Sequence, residues 1–160
     1  MTLSFKERFR YNFSLWIFGL IKVRMINFCS PRIIEADDEK TILKMPLNVK
    51  TRNHVKSMYI AAMIVGVDLV TGFSAFLQIR KKKRNVIVIF KDLNANFLKR
   101  AEGDTYFTCK NLASIREAVD RTIESGERVN LKVPVIATVP TLFGKEPVAE
   151  FSITLSLKEK

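Results

Sequence analysis

Between residues 4 and 24 the apolar side chains recur with helical spacing. Phe5, Phe9, Phe13, Trp16, Ile17 and Leu20 fall at i, i+4, i+8, i+11, i+12 and i+15 and form one stripe. Lys6, Arg8, Arg10, Lys22 and Arg24 fall mostly off it. The plainer reading is that the stripe packs on the domain or on a partner subunit; the other is that this basic, aromatic helix lies in a membrane interface. Pro31 opens an extended region, with strands expected at Ile33–Glu35 and Thr41–Leu47 around a polar Asp37-Asp38-Glu39 turn. A basic connection, residues 48–57, leads into a run from Met58 to about Ile79 that is apolar on every side, the mark of a buried helix. Gly66 and Gly72 would each cost that helix about 1 kcal/mol in propensity, so they are expected to permit close packing.

The basic run Arg80-Lys81-Lys82-Lys83-Arg84 reads as a loop, followed by a long strand from Val86 to Leu98 and another over Asp104–Lys110. Residues 112–125 have one apolar face and predict a surface helix, started by Asn111 or by the Ser114–Glu117 capping-box spacing and ended by Gly126. Two strands close the chain, Arg128–Val139 and Val148–Leu157. In the second, Phe151, Ile153, Leu155 and Leu157 alternate with Ser152, Thr154, Ser156 and Lys158, which predicts one dry and one wet face. The order predicts an α+β fold, an antiparallel sheet of five or six strands curled around the long central helix. Sheet edges would be paired in a dimer.

With 160 residues the chain fits one domain, and its balance of apolar and charged residues is that of a folded protein. Two cysteines and one histidine exclude both a disulfide framework and a Cys/His zinc site. The run Phe13–Ile21 is broken by Lys22 and Arg24, so no bilayer-spanning helix is expected. The beginning lacks a signal-peptide cleavage site, and the expected location is the cytoplasm, free or peripherally attached to a membrane. Lys and Arg outnumber Asp and Glu by 27 to 16, a net charge of +11. That excess suits nucleic acid, anionic lipid or a small polyanion. Nucleic acid is the weakest of these, because no aromatic platform adjoins the basic run.

Two segments carry a family resemblance. Asn53-His54-Val55-Lys56-Ser57-Met58-Tyr59-Ile60-Ala61-Ala62-Met63, leading to Asp68, resembles a pattern of Asn, a His-Gly-Gly or small-residue turn, and an acid seven positions after the second Gly. Ala61 holds that second Gly position. Asp92 to Asp104 is similar to a strand-turn-strand with Phe97-Leu98 ahead of a turn closed by Gly103-Asp104, and Val148-Ala149-Glu150-Phe151 suits a last strand. The pattern is that of the hotdog-fold acyl-CoA thioesterase superfamily, nearest to a bacterial group of thioesterase-like single-hotdog proteins, and it covers about residues 31–158. It implies one hotdog domain, residues 29–160, preceded by the amphipathic helical segment that the apolar stripe predicts, residues 1–28. It also implies a homodimer or tetramer, an acyl-CoA-type thioester as ligand, hydrolysis of that thioester, and no cofactor beyond the coenzyme A of the substrate. Met58 stands where many members have His, and Ile60 and Ala61 replace the paired glycines.

Asp68 is singled out by its apolar surroundings as well as by the resemblance. A desolvated carboxylate is either paired, here with Arg52, Lys56, Thr71 or the backbone, or its pKa rises into the range of a general base. The resemblance implies that a thioester carbonyl sits at the helix N-terminus, residues 58–62, where free N–H groups stabilise an oxyanion. Asp68, from the other subunit, would then activate water or attack directly. Asn53 would orient substrate or water, and His54, Ser57, Met58, Tyr59, Ile60, Ala61 and Ala62 would line the site. As plain chemistry, Ser57 reads as the helix N-cap and His54 as a solvated loop residue. Lys81, Lys82, Lys83, Arg84, Lys99 and Arg100 are implied to hold the coenzyme A phosphates; the simpler role for each is solubility.

Overall fold

The structure, a computed structural model, describes residues 3–160; Met1 and Thr2 of the expected segment 1–28 lie outside the described residues. Helix α1 (Phe5–Ile21) opens on a capping box in which Ser4 Oγ accepts from the Glu7 N–H at 3.3 Å and the Ser4 N–H donates to Glu7 Oε2 at 3.0 Å. The single helix expected to residue 24 is two. The chain turns at Lys22 and Val23, and α2 (Arg24–Cys29) packs against α1. Gly19 makes that approach possible, since a Cβ there would stand 2.4 Å from Asn27 Oδ1.

The stripe of α1 does not pack on the domain. Phe5, Phe9, Phe13, Trp16 and Leu20 face solvent. The inward face carries Tyr11, Asn12, Leu15 and Gly19: Leu15 and Gly19 are buried, and Tyr11 sets its ring edge-on to Phe73 at 5.3 Å. Asn12 was not singled out in the sequence. Its amide donates to the Ile33 carbonyl at 3.0 Å and accepts from the Ile33 N–H at 2.8 Å, so it pairs with the first strand as another strand would.

Six strands form one antiparallel sheet: β1 (Arg32–Ala36), β2 (Thr41–Met45), β3 (Val86–Phe97), β4 (Thr105–Cys109), β5 (Val129–Thr138) and β6 (Pro147–Glu159), in the order β1-β2-β4-β5-β6-β3. Register shifts at Ile33/Glu35, Phe90/Leu93 and Ala137/Thr138 bend it. The long helix α3 (Ile60–Lys82) lies against the sheet, and this is the hotdog arrangement of sheet around helix. A Cβ at Gly66 would stand 2.4 Å from Phe107 Cε2, so the expected close approach is there. At Gly72 the nearest atom to such a Cβ is Phe90 Cζ at 3.5 Å, an ordinary contact that does not require glycine.

Three expectations about α3 change. It runs through Lys82, so Arg80, Lys81 and Lys82 end a helix instead of forming a loop, and Lys83 closes it in the left-handed region (φ 54°). It is long and apolar enough to cross a membrane, which the sequence was not expected to provide; 56% of its most apolar window is buried as the domain's core helix. Its burial is also not all-round. Ala61, Ile64 and Phe76 are exposed, and Val65 and Asp68 are only half-buried, because one sheet covers one side of a rod.

Helix α4 (Leu112–Ser125) buries Ile115, Ala118 and Val119 beside α3 and ends at Gly126 (φ 63°) as expected. It starts before Ser114, so the Ser114–Glu117 box does not form, and Asn111 holds the N-cap without a side-chain bond. A one-turn helix α5 (Pro140–Phe143) precedes β6. The wet face expected of β6 is largely closed. Thr154 Oγ1 donates to Asp92 Oδ1 at 2.7 Å, Arg128 Nη1 donates to Ser156 Oγ at 3.1 Å, and both β6 residues are buried.

Candidate functional site

The chain reaches α3 through a tightly bonded turn. Thr51 Oγ1 donates to the Pro46 carbonyl at 2.6 Å and accepts from the Asn48 N–H at 3.0 Å. The Met58 N–H donates to the Ala101 carbonyl at 2.8 Å and the Tyr59 N–H to the Thr51 carbonyl at 2.7 Å. Asn53 organises this turn: its Oδ1 accepts from the N–H groups of Val55 (3.0 Å) and Ser57 (3.1 Å), so that oxygen is committed to backbone and only its amide N–H₂ is left for a ligand. Ser57 is not the helix N-cap. That position is Tyr59, with no side-chain bond, while buried Ser57 accepts from Arg100 Nε at 3.0 Å. His54 is exposed at the turn's tip.

Helix α3 therefore begins uncapped. The first intrahelical bond at this end runs from the Met63 N–H to the Tyr59 carbonyl at 3.1 Å, which leaves the N–H groups of Ile60, Ala61 and Ala62 as the free positive end of a 23-residue helix. Met58 and Ala62 are buried, while Tyr59, Ile60 and Ala61 are exposed. Such an end can receive a developing negative charge.

Asp68 lies farther along the same helix, on its uncovered face. None of Arg52, Lys56 and Thr71 pairs with it; the Thr71 hydroxyl donates to the Val67 carbonyl instead. No ion pair or hydrogen bond of the described residues reaches its carboxyl, and burial pushes its pKa above the ordinary carboxylate range. Eight residues separate Ile60 from Asp68, a rise of about 12 Å, so one helix cannot bring its own acid to its own N-terminus.

The basic candidates fall in two places. Lys81, Lys82, Lys83 and Arg84 lie at the far end of α3, roughly 30 Å from its start. Three of these are paired: Lys81 with Asp38 (2.5 Å), Lys82 with Asp120 (2.6 Å) and Arg84 with Glu159 (2.6 Å). Lys99 and Arg100 lie beside the α3 N-terminus. Lys99 pairs with Glu146, and Arg100 Nη2 pairs with Glu102 (2.8 Å) and donates to the Val55 carbonyl while its Nε donates to Ser57 Oγ. That clamp was not foreseen: nothing local ties residue 100 to residue 57 until β3 returns the chain to the helix start.

Cys29 and Cys109 are free and buried, and burial raises both thiols' pKa. Among the described residues no three His, Cys, Asp or Glu side chains gather as a metal site requires. A cleft of about 770 Å³ lies between α1, α2 and β1, and Asp68 is not in its wall.

The sequence profile of a family described as Domain of unknown function (DUF4442) matches residues 20–157, and the chain belongs to that family. No curated protein matches it. Among solved structures the fold is similar to that of the protein OLEI01261 from Chlorobaculum tepidum TLS, of unknown function (TM-score 0.81, 11% identity, 96% of this chain and 97% of that one). It is similar to PA5026 from Pseudomonas aeruginosa, described as a protein of unknown function and probable thioesterase (TM-score 0.74, 20% identity, 100% and 99%). It is also similar to a mutant of the thioesterase PA1618 from the same organism (TM-score 0.71, 12% identity, 99% and 99%).

Proposed function

We propose that this DUF4442-family hotdog protein binds acyl-CoA-type thioesters and hydrolyses them, with Asp68 as general base or nucleophile, as a homodimer. The observation that carries the reading is Asp68 itself, an acid without a partner among the described residues on the open apolar face of the central helix, its pKa raised by burial. The description of PA5026 and PA1618 as thioesterases supports the same reaction class. In the general-base form a water oxygen bonds to the thioester carbonyl carbon as its proton passes to Asp68. The oxyanion is held by the free N–H groups of Ile60, Ala61 and Ala62, and the C–S bond then breaks to release the thiolate.

The 12 Å rise between acid and helix N-terminus is the argument for two subunits. Strand β3 is a sheet edge of twelve residues, next to the uncovered face of α3. Pairing β3 with the β3 of a second copy about a twofold axis sets the two α3 helices antiparallel, Asp68 of each turned toward the other's N-terminus. Asn53, held at the turn, offers its amide N–H₂ to substrate or water. Lys99 and Arg100 are the cations beside the helix start, and Lys83 is in no ion pair among the described residues; Lys81, Lys82, Arg84, Lys99 and Arg100 would each exchange an ion pair for a phosphate contact. The two free buried cysteines suit a reducing compartment such as the cytoplasm.

A second reading is binding without turnover, favoured by the side chains of Ile60 and Ala61 standing where glycine would leave the backbone bare. Thiol release from a panel of acyl-CoAs decides. Wild type is expected to turn over at least one of them, with Asp68→Asn about 10²-fold or more lower in kcat and little changed in KM. Equal rates would remove Asp68 from the reaction, and tight binding with no turnover would favour the second reading.

A further inference from the structure

We propose that the exposed face of the α1–α2 hairpin is a docking surface for anionic lipid bilayers. At 100° per residue, Phe5, Phe9, Phe13, Trp16 and Leu20 span about 80° of the α1 circumference, and all are exposed. The rings are organised before any partner arrives: Phe9 stacks on Phe13 at 6.2 Å and Phe13 on Trp16 at 6.0 Å. Helix α2 adds exposed Met25 and Phe28. A patch of this size is not what a protein leaves to bulk water without use.

Charge identifies what covers it. Residues 3–32 contain Lys6, Arg8, Arg10, Lys22, Arg24 and Arg32 against Glu7 alone, so their net charge is 6 − 1 = +5. Lys6 and Arg10 border the stripe on one side and Arg8 on the other. None of the seven ion pairs among the described residues uses one of these six. Arg8 and Arg32 both line the 770 Å³ cleft between the helices and β1, whose floor includes Leu15, Ile26 and Ile33. A second copy laid face to face would set +5 against +5, which disfavours self-association. A bilayer with anionic headgroups takes both parts: rings and Leu20 at the acyl boundary, guanidinium and ammonium groups among the phosphates. Trp16 then sits at the headgroup level that indole prefers.

Trp16 is the protein's only tryptophan, so its emission reports this face alone. The full chain is titrated with phosphatidylcholine vesicles, with and without phosphatidylglycerol, at low and high salt. The expected result is a blue shift and co-sedimentation with the phosphatidylglycerol vesicles, weakened by salt. Arg8→Gln and Arg24→Gln should each lower partitioning roughly fivefold. Phe9→Ser with Phe13→Ser should abolish it, and because both positions are exposed the melting temperature of that variant should match wild type. Absence of a shift with anionic vesicles, or equal binding to neutral ones, overturns the proposal. So does a drop in oligomeric mass in Phe9→Ser/Phe13→Ser, which would make the stripe an interface between copies.

Discussion

Asp68 is the residue on which sequence and structure converge from different directions. In the sequence it is an acid inside Val65-Gly66-Val67-Asp68-Leu69-Val70; in the fold it is half-buried with no partner among the described residues. Its raised pKa fixes the sign of its effect on stability. Below the unfolded-state pKa the carboxyl is protonated in both states and costs nothing. As pH rises from there through the higher folded-state pKa, ionisation disfavours the native state, and stability is lost. Asp68→Asn is therefore expected to raise Tm at neutral pH, with the gap closing toward acid. Thermal melts from acid to neutral pH check this. A variant less stable than wild type at neutral pH would show that the carboxylate has a native partner. Thioester hydrolysis should rise with pH along an acid limb displaced above that of an ordinary aspartate.

Among the elements, α3 shows how a single glycine sets the distance between helix and sheet. Phe107 fills the notch at Gly66 and in turn meets Phe151 at 6.3 Å, so three elements depend on one missing Cβ. Gly66→Ala is expected to cost about 1–3 kcal/mol by overpacking, read as a lower urea midpoint at constant m-value. The control is Gly72→Ala, where the new methyl meets only an ordinary contact and helix propensity improves; it should be neutral or slightly stabilising. If the two substitutions cost the same, the contact with Phe107 does not set the spacing.

For the whole molecule the open questions lie on two uncovered surfaces, the β3 edge with the outer face of α3, and the hairpin of α1 and α2. The first bears on the proposed dimer. Ile64 is 39% exposed on the helix face that carries Asp68, so a lysine there can carry its ammonium out to solvent with its stem along the helix. Ile64→Lys should fold normally, sediment as a monomer and lose hydrolysis in parallel with dimer content. A monomeric wild type that hydrolyses thioesters, or a dimeric Ile64→Lys, would contradict the shared-site arrangement. The exposed α1 face is independent of this, and vesicle binding should survive Asp68→Asn.

The amino-acid order determined whatever depends on local periodicity and on near neighbours in the chain. That includes the identity of the six strands, the long central helix, α4 with its left-handed Gly126, the close approach at Gly66, and Asp68 as an acid in apolar company. The tertiary structure decided what depends on groups far apart in sequence. It moved Ser57 from helix cap to Arg100 acceptor, because residues 57 and 100 meet only after α3 and β3 have run out and back. It tied Lys81, Lys82 and Arg84 into ion pairs with acids 38 to 75 positions away. It left the α1 stripe and one side of α3 uncovered, since a hydrophobic period says that a face is apolar, not which surface will close over it.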